Sequence, residues 1–296
     1  WEWPAEAAEW LLEALRDPQA RHETRLSAAG LAGEMAVVNE DLARELLKVV
    51  TDPAEAEDVR CEAAIALGPG LETCDTELTG SGKEFLEDTE DVPFGHATFD
   101  EIRRTLRALF EDTAVPSNVR RRALEAAVRA LQPWQTEAVR AAYNNPDLDW
   151  KVTAVFCMRY IQGFEKEILK ALRNRDQDLQ YEAVRAAGAW GLEEAFEICS
   201  AIAVLESSEK HLRIAAIQAM TEICPEDAGD LLMPIRNHRD KDIAEAVEEA
   251  IDGATLSADL FPGWDEGDDD DEDDDWDDDD EDDDDDDWDE DEDEDG

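Results

Sequence analysis

Apolar positions along most of this chain fall into stripes with helical spacing. In the segment 164–172, Phe164, Ile168, Leu169 and Leu172 stand at i, i+4, i+5 and i+8. A polar stretch, Asn174 to Asp178, follows. Then Leu179, Ala183, Val184, Ala186, Ala187 and Trp190 form a second stripe that stops at Gly191. Neither stripe alternates as a strand would, so the pattern predicts two helices joined by a short turn. Asp-Pro at 17–18 and 52–53 and Asn-Pro at 145–146 punctuate similar turns elsewhere. No segment reads as a strand, and the predicted fold class is all-α.

The second stripe of each pair recurs. Val59-Arg60-Cys61-Glu62-Ala63 is echoed at Val119-Arg120-Arg121-Arg122-Ala123, Leu179-Gln180-Tyr181-Glu182-Ala183 and Leu212-Arg213-Ile214-Ala215-Ala216. Copies at Thr24, Trp150 and Ile243 complete the series, with Ala or Val four places on. Successive copies lie 29 to 35 residues apart, except for 60 between Val59 and Val119. A fixed period of this length means stacked units, each too small to bury its own apolar face. The repeated Ala suits helix axes packed at about 8–10 Å. The long gap is one unit plus an insertion, residues 69–96, which reads as an irregular acidic loop.

With Asp in the turn, Val-Arg opening the second helix and Ala four residues on, these units resemble HEAT repeats. The resemblance implies a right-handed α-solenoid of about seven antiparallel helix pairs over residues 1–253, whose second helices line a concave groove. Residues 118–127 and 149–158 are similar to a bacterial family of HEAT-repeat proteins with no assigned activity. Such proteins usually act as scaffolds that hold a partner in the groove.

Charge sharpens the expectation. The chain carries 80 acids and 27 bases, a net charge of −53. Of the last 32 residues 28 are Asp or Glu, which leaves 52 acids and all 27 bases in the first 264. Direct binding to nucleic acid or to an anionic membrane needs clustered cations and is therefore disfavoured. Residues 254–296 cannot bury enough apolar surface to fold alone, so a disordered tail is expected. Trp264, Trp276 and Trp288 nevertheless punctuate it at intervals of 12. Solubility gains nothing from indole rings. Dense acid with sparse aromatics suits a partner that is basic and has apolar pockets, or a tail that imitates nucleic acid on a cationic surface.

The opposite charge gathers in the middle. Residues 103–175 hold 14 bases and eight acids. Arg103, Arg104, Arg107, Arg120, Arg121, Arg122 and Lys151, with Trp134 and Trp150, are the candidates for a groove that binds an anion, a peptide or the acidic tail. The competing expectation is structural: Arg at the start of a second helix pairs with turn Asp, and the tryptophans pack between repeats.

Catalytic motifs are scarce. Deoxyhypusine hydroxylase, whose fold this resembles, holds two irons with repeated His-Glu pairs, and this sequence has one such pair, His22-Glu23. Bilin lyases resemble the fold too, without a motif specific to them here. Gly80-Ser81-Gly82-Lys83 lacks the upstream Gly of a phosphate loop. Five cysteines with no CxxC spacing read as free thiols. No apolar run is long enough to span a bilayer, and the chain opens on acidic residues rather than a leader. The expectation is a monomeric cytoplasmic protein, not an enzyme, with no cofactor. It would bind a protein with a basic surface as adaptor or chaperone, the alternative being a lyase subunit of the bilin-lyase type.

Overall fold

The computed structural model describes residues 6–36, 39–79 and 95–260. The chain divides into two units, Trp1–Leu260 and Phe261–Gly296, and every described element belongs to the first. The fold is an α-solenoid, and no strand occurs among the described residues.

Seven antiparallel pairs build it. They are α1 (Ala7–Arg16) with α2 (His22–Ala36), α3 (Glu40–Thr51) with α4 (Glu57–Ala66) and, after the intervening α5 (Gly68–Thr79), α6 (His96–Glu111) with α7 (Ser117–Ala127). Then come α8 (Pro133–Tyr143) with α9 (Leu148–Met158), and α10 (Glu165–Ala171) with α11 (Gln177–Ala189). The last pairs are α12 (Phe196–Val204) with α13 (Lys210–Ile223) and α14 (Pro225–Leu232) with α15 (Lys241–Leu260). The second helices pack on one another in sequence from α2 to α15, while the first helices touch their neighbours less. The layer of second helices is therefore the closer-packed, inner one.

Two boundaries differ from the sequence reading. The insertion 69–96 does not begin as a loop: Gly68–Thr79 is helical, with Leu71 and Cys74 fully buried against α2, α4 and α7. Leu67, Leu71 and Cys74 stand at i, i+4 and i+7, but Gly68-Pro69-Gly70 at the helix start hides the stripe. Residues 80–94, with Gly80–Lys83, lie outside the described residues. The last helix also runs to Leu260 rather than ending near Gly253, so the stretch 254–260 belongs to the solenoid and not to the tail. Trp264, Trp276 and Trp288 lie outside the described residues.

The turn between paired helices is built the same way five times. Asp17, Asp52, Asp112, Asn145 and Asn174 each accept, through the side-chain oxygen, a hydrogen bond from the backbone N–H two residues on, at 2.8–2.9 Å. Such Asx turns satisfy the backbone locally and stop the first helix. The residue after the repeat's first position then reaches back to the carbonyl two residues before the turn. Arg25 donates to Leu15 O, Arg60 to Val50 O, Arg120 to Phe110 O, Gln180 to Leu172 O and Arg213 to Ala203 O, at 2.8–3.0 Å. These are the orphan carbonyls at a helix C-terminus. The ladder of basic residues therefore caps the first helices. It does not pair with the turn Asp, which is spent on its own turn.

The apolar core forms two clusters that meet on α7. Val119, Ala123, Ala126 and Ala127 belong to the first, Leu124 and Val128 to the second, and Trp134 packs against both. Within each cluster the inner helices cross on small residues. A Cβ built on Gly33 would lie 2.9 Å from the Ala66 Cα, a backbone atom that cannot swing aside, whereas one on Gly30 would meet only Glu62 Oε2 at 3.6 Å. Gly33→Ala is expected to force α2 and α4 apart and cost about 1–3 kcal/mol, partly offset by about 1 kcal/mol of helix propensity. Gly30→Ala gains the propensity alone. Thermal melts of the pair should move in opposite directions, down for Gly33→Ala and up for Gly30→Ala. A rise in both would mean that the α2–α4 crossing is loose.

Candidate interaction face

The predicted groove residues fall in three places rather than one. Arg103, Arg104 and Arg107 lie on α6, a first helix. Arg103 sits over the Phe99 ring and donates to Leu131 O at 3.4 Å. Arg104 bonds the Asp100 carbonyl and lines an open cleft at the turn edge with Arg60, Glu101 and Asp112. Arg107 pairs with Glu111 at 2.8 Å and lies over Trp134.

The second place is a packing cluster around Phe110. Trp134 lies 5.4 Å from its ring and Trp150 6.2 Å, and the Arg120 guanidinium stands over both Phe110 and Trp150. Trp150 is 8% exposed, and its Nε1 donates to Ser117 Oγ at 3.1 Å. Both tryptophans thus hold adjacent repeats together, and Arg120 is one of the capping rungs. Lys151 occupies the same rung on α9 but makes no hydrogen bond or ion pair with any described residue.

The third place is the inner layer itself. Arg121 reaches Asp149 on α9, at 3.1 Å to the carboxylate and 3.0 Å to the carbonyl. Arg122 pairs with buried Glu125 at 2.5 Å, and Thr153 on α9 donates to the other oxygen of Glu125. This polar tie joins α7 to α9 where the two apolar clusters meet. The Arg120–Arg122 run is therefore mostly spent within the fold, and only Arg122, with its side chain 44% exposed, still faces outward.

Beyond that tie the inner face is aromatic and basic, and it includes Arg129 and Arg159 from the 14 bases of residues 103–175 and Tyr160, an aromatic the sequence places beside them. Phe156 on α9 and Tyr160, just past its end, lie 5.8 Å apart. Arg129, just past α7, stands 6.0 and 5.5 Å from their ring centres, and Arg159 stands 4.9 Å from each. Two guanidiniums thus flank one pair of rings. Arg129 also bonds Glu72 on α5 at 2.8 Å, and Arg159 donates to the Tyr160 hydroxyl at 2.8 Å. On α11, Arg185 lies over Tyr181. Glu182 beside them is half-buried and accepts no hydrogen bond. Burial pushes its pKa up to about 7, against the pull of Arg159 and Arg185. Glu222 on α13 is raised for the same reason.

The chemistry of other sequence candidates is ordinary. His22, at the exposed start of α2, pairs with Asp58 on α4 at 2.8 Å. None of the five cysteines is in a disulfide, and burial raises Cys61 to about 11 and Cys199 to about 12. Among the described residues no group of three or more His, Cys, Asp or Glu gathers as metal ligands would. No described helix is long and apolar enough to cross a membrane.

Comparison with known proteins matches residues 165–252 to the family model described as HEAT repeats. Human deoxyhypusine hydroxylase in complex with glycerol is a structural neighbour at 17% identity and a TM-score of 0.41, with 86% of each chain covered. The complex of CpcE and CpcF of phycocyanin lyase from a Nostoc species is another, at 18% identity and a TM-score of 0.43, covering 86% of this chain and 98% of that one. An engineered protein is similar at 18% identity and a TM-score of 0.32, over 86% and 98%. Comparison with curated proteins gives no match. Residues 165–252, helices α10 to α15, are thus HEAT repeats within a solenoid of HEAT-like pairs.

Proposed function

We propose that this protein is an adaptor that acts by binding rather than by catalysis, holding a partner along the inner face of its helical repeat scaffold. The observation that carries this reading is the set of half-buried rings on and beside α9 and α11, Phe156, Tyr160 and Tyr181, which pack against an apolar cluster and carry guanidiniums over their faces. The acidic C-terminal stretch, with Trp264, Trp276 and Trp288, supplies a second contact in this reading. Its carboxylates steer a protein with a basic surface toward the adaptor, and its indoles anchor the encounter.

Affinity capture from host lysate, comparing the full chain with a truncation at residue 263, tests the tail's part. A basic protein should be captured by the full chain. With that protein purified, truncation should lower the association rate about tenfold at low ionic strength and flatten its salt dependence. Equal association rates for the two chains would sink the tail's role. Purified protein should also be colourless and free of metal. Stoichiometric iron or a visible chromophore would instead favour an enzyme of the hydroxylase or bilin-lyase kind.

A further inference from the structure

The edge of the inner layer, where second helices lead into the next pair, holds a cleft of different character. Leu131, Gln132, Pro133, Tyr160, Ile161 and Trp190 line it, around an open volume of about 570 Å³. Leu131 is 52% exposed there, although it is a large apolar side chain. Trp190 is held by a hydrogen bond from its Nε1 to Met158 O at 2.8 Å, so the wall it presents is fixed. Tyr160 belongs both to this cleft and to the ring pair flanked by Arg129 and Arg159. An apolar seat and a pair of guanidiniums therefore share one wall.

Three of the buried polar atoms that have no partner among the described residues lie close to this wall. Gln132 spends its Oε1 on the start of α8, where Gln132 and Gln135 form a capping box, and its Nε2 has no acceptor. Arg159 spends Nη2 on Tyr160, and its buried Nη1 has none. Arg103, whose Nη2 meets the Leu131 carbonyl, has an unpartnered Nε. All three are N–H donors, and a donor buried without an acceptor is costly unless something else supplies one. Of the carboxylates near this wall, Glu72 is taken by Arg129, Glu125 by Arg122 and Thr153, and Asp75 by the Leu131 backbone N–H, while burial favours the uncharged form of Glu182. An acidic occupant would find donors here.

We propose that this cleft, with Arg129 and Arg159, binds an acidic segment of a partner protein. A large apolar side chain of that segment would sit between Leu131, Tyr160 and Trp190, and its carboxylates on the guanidiniums. The proposal rests on the inner face being an interface, not on the C-terminal stretch, so its failure and that of the steering role are separable. The net charge of −53 opposes any acidic ligand at long range. At 0.15 M salt, charges more than about 8 Å away are largely screened and the local donors decide.

The test is fluorescence anisotropy at that salt, using the full chain and three labelled 15-residue peptides. One is Asp and Glu around a central Trp, the second has Ser in place of Trp, and the third has Lys in place of every acid. The first should bind. The second should bind at least tenfold more weakly, and the third should not bind. Arg159→Gln and Leu131→Ser should each weaken the first peptide about tenfold. Leu131 is exposed, so its variant keeps the fold, and circular dichroism verifies both. No binding of the acidic Trp peptide, equal binding of the Lys peptide, or unchanged affinity in both variants would overturn the proposal.

Discussion

Replacing Arg213 or Arg60 by Met should lower the stability of the solenoid by about 2–3 kcal/mol, more than most single changes outside the core. Both side chains are nearly buried, at 4% and 5% exposure. Each gives its Nε to a helix-end carbonyl at 3.0 Å, Ala203 O and Val50 O respectively. Met keeps most of the apolar stem and removes the donor. A hydrogen bond from a charged group is worth about 1.5–3 kcal/mol, and the carbonyl it leaves is shielded from water. The same rung elsewhere grades the effect. Gln180 offers a neutral amide to Leu172 O, so Gln180→Met should cost about 1 kcal/mol. Lys151 makes no such bond, and Lys151→Met should stay within about 0.5 kcal/mol of the parent. Urea melts of the four variants should rank Arg213 and Arg60 together, then Gln180, then Lys151. A cost for Lys151→Met equal to that for Arg60→Met would show that the ladder acts through side-chain packing and not through the carbonyl.

That grading explains how much was legible in advance. The ladder is local: a turn, a rung eight or ten residues from its carbonyl and an Ala three further on all lie within one unit. Seven pairs and their turns could therefore be read from periodicity. Helix α5 could not, because Gly68, Pro69 and Gly70 at its start speak against a helix while Leu67, Leu71 and Cys74 are buried by neighbours distant in sequence. The face was the hardest part. Arg120, Arg121 and Arg122 draw the eye as a run, but consecutive residues on a helix point to different sides. One caps a helix, one ties α7 to α9, and one holds Glu125. A face collects a few residues from each helix, about 30 positions apart. Arg122, Glu125 and Arg129 on one unit and Phe156, Arg159 and Tyr160 on the next follow helical spacing. Aligning the units at Val119 and Trp150 would have put Arg129 beside Tyr160, since each stands ten residues on.

Glu182→Gln should stabilise the protein above neutrality and have no effect in mild acid. The half-buried carboxyl is raised from its ordinary 4.5 to about 7, chiefly by burial and with a smaller push from Glu125. Between those values the folded chain holds a proton that the unfolded chain has released, so stability falls as pH rises through this window and levels off above it. At about 1.4 kcal/mol per pH unit the full loss is of the order of 3–4 kcal/mol. Gln is uncharged at every pH and does not incur it. Other groups titrate as well: Asp75 and Glu222 are raised by burial, while Glu40 and Asp240 are lowered chiefly by the hydrogen bonds they accept from Thr98 and Lys210. The difference between parent and variant isolates Glu182 from all of them. Melts at pH 4.5, 6 and 8 should show that difference growing from near zero to several degrees in favour of the variant. A constant difference, or a variant less stable than the parent at pH 8, would mean that Arg159 and Arg185 hold Glu182 as a paired carboxylate. The inner face would then be a closed ionic network with no donor to spare. The pH series therefore also reports on the inner face as an interface, because Arg159 can receive a partner's carboxylate only if Glu182 has not already claimed it.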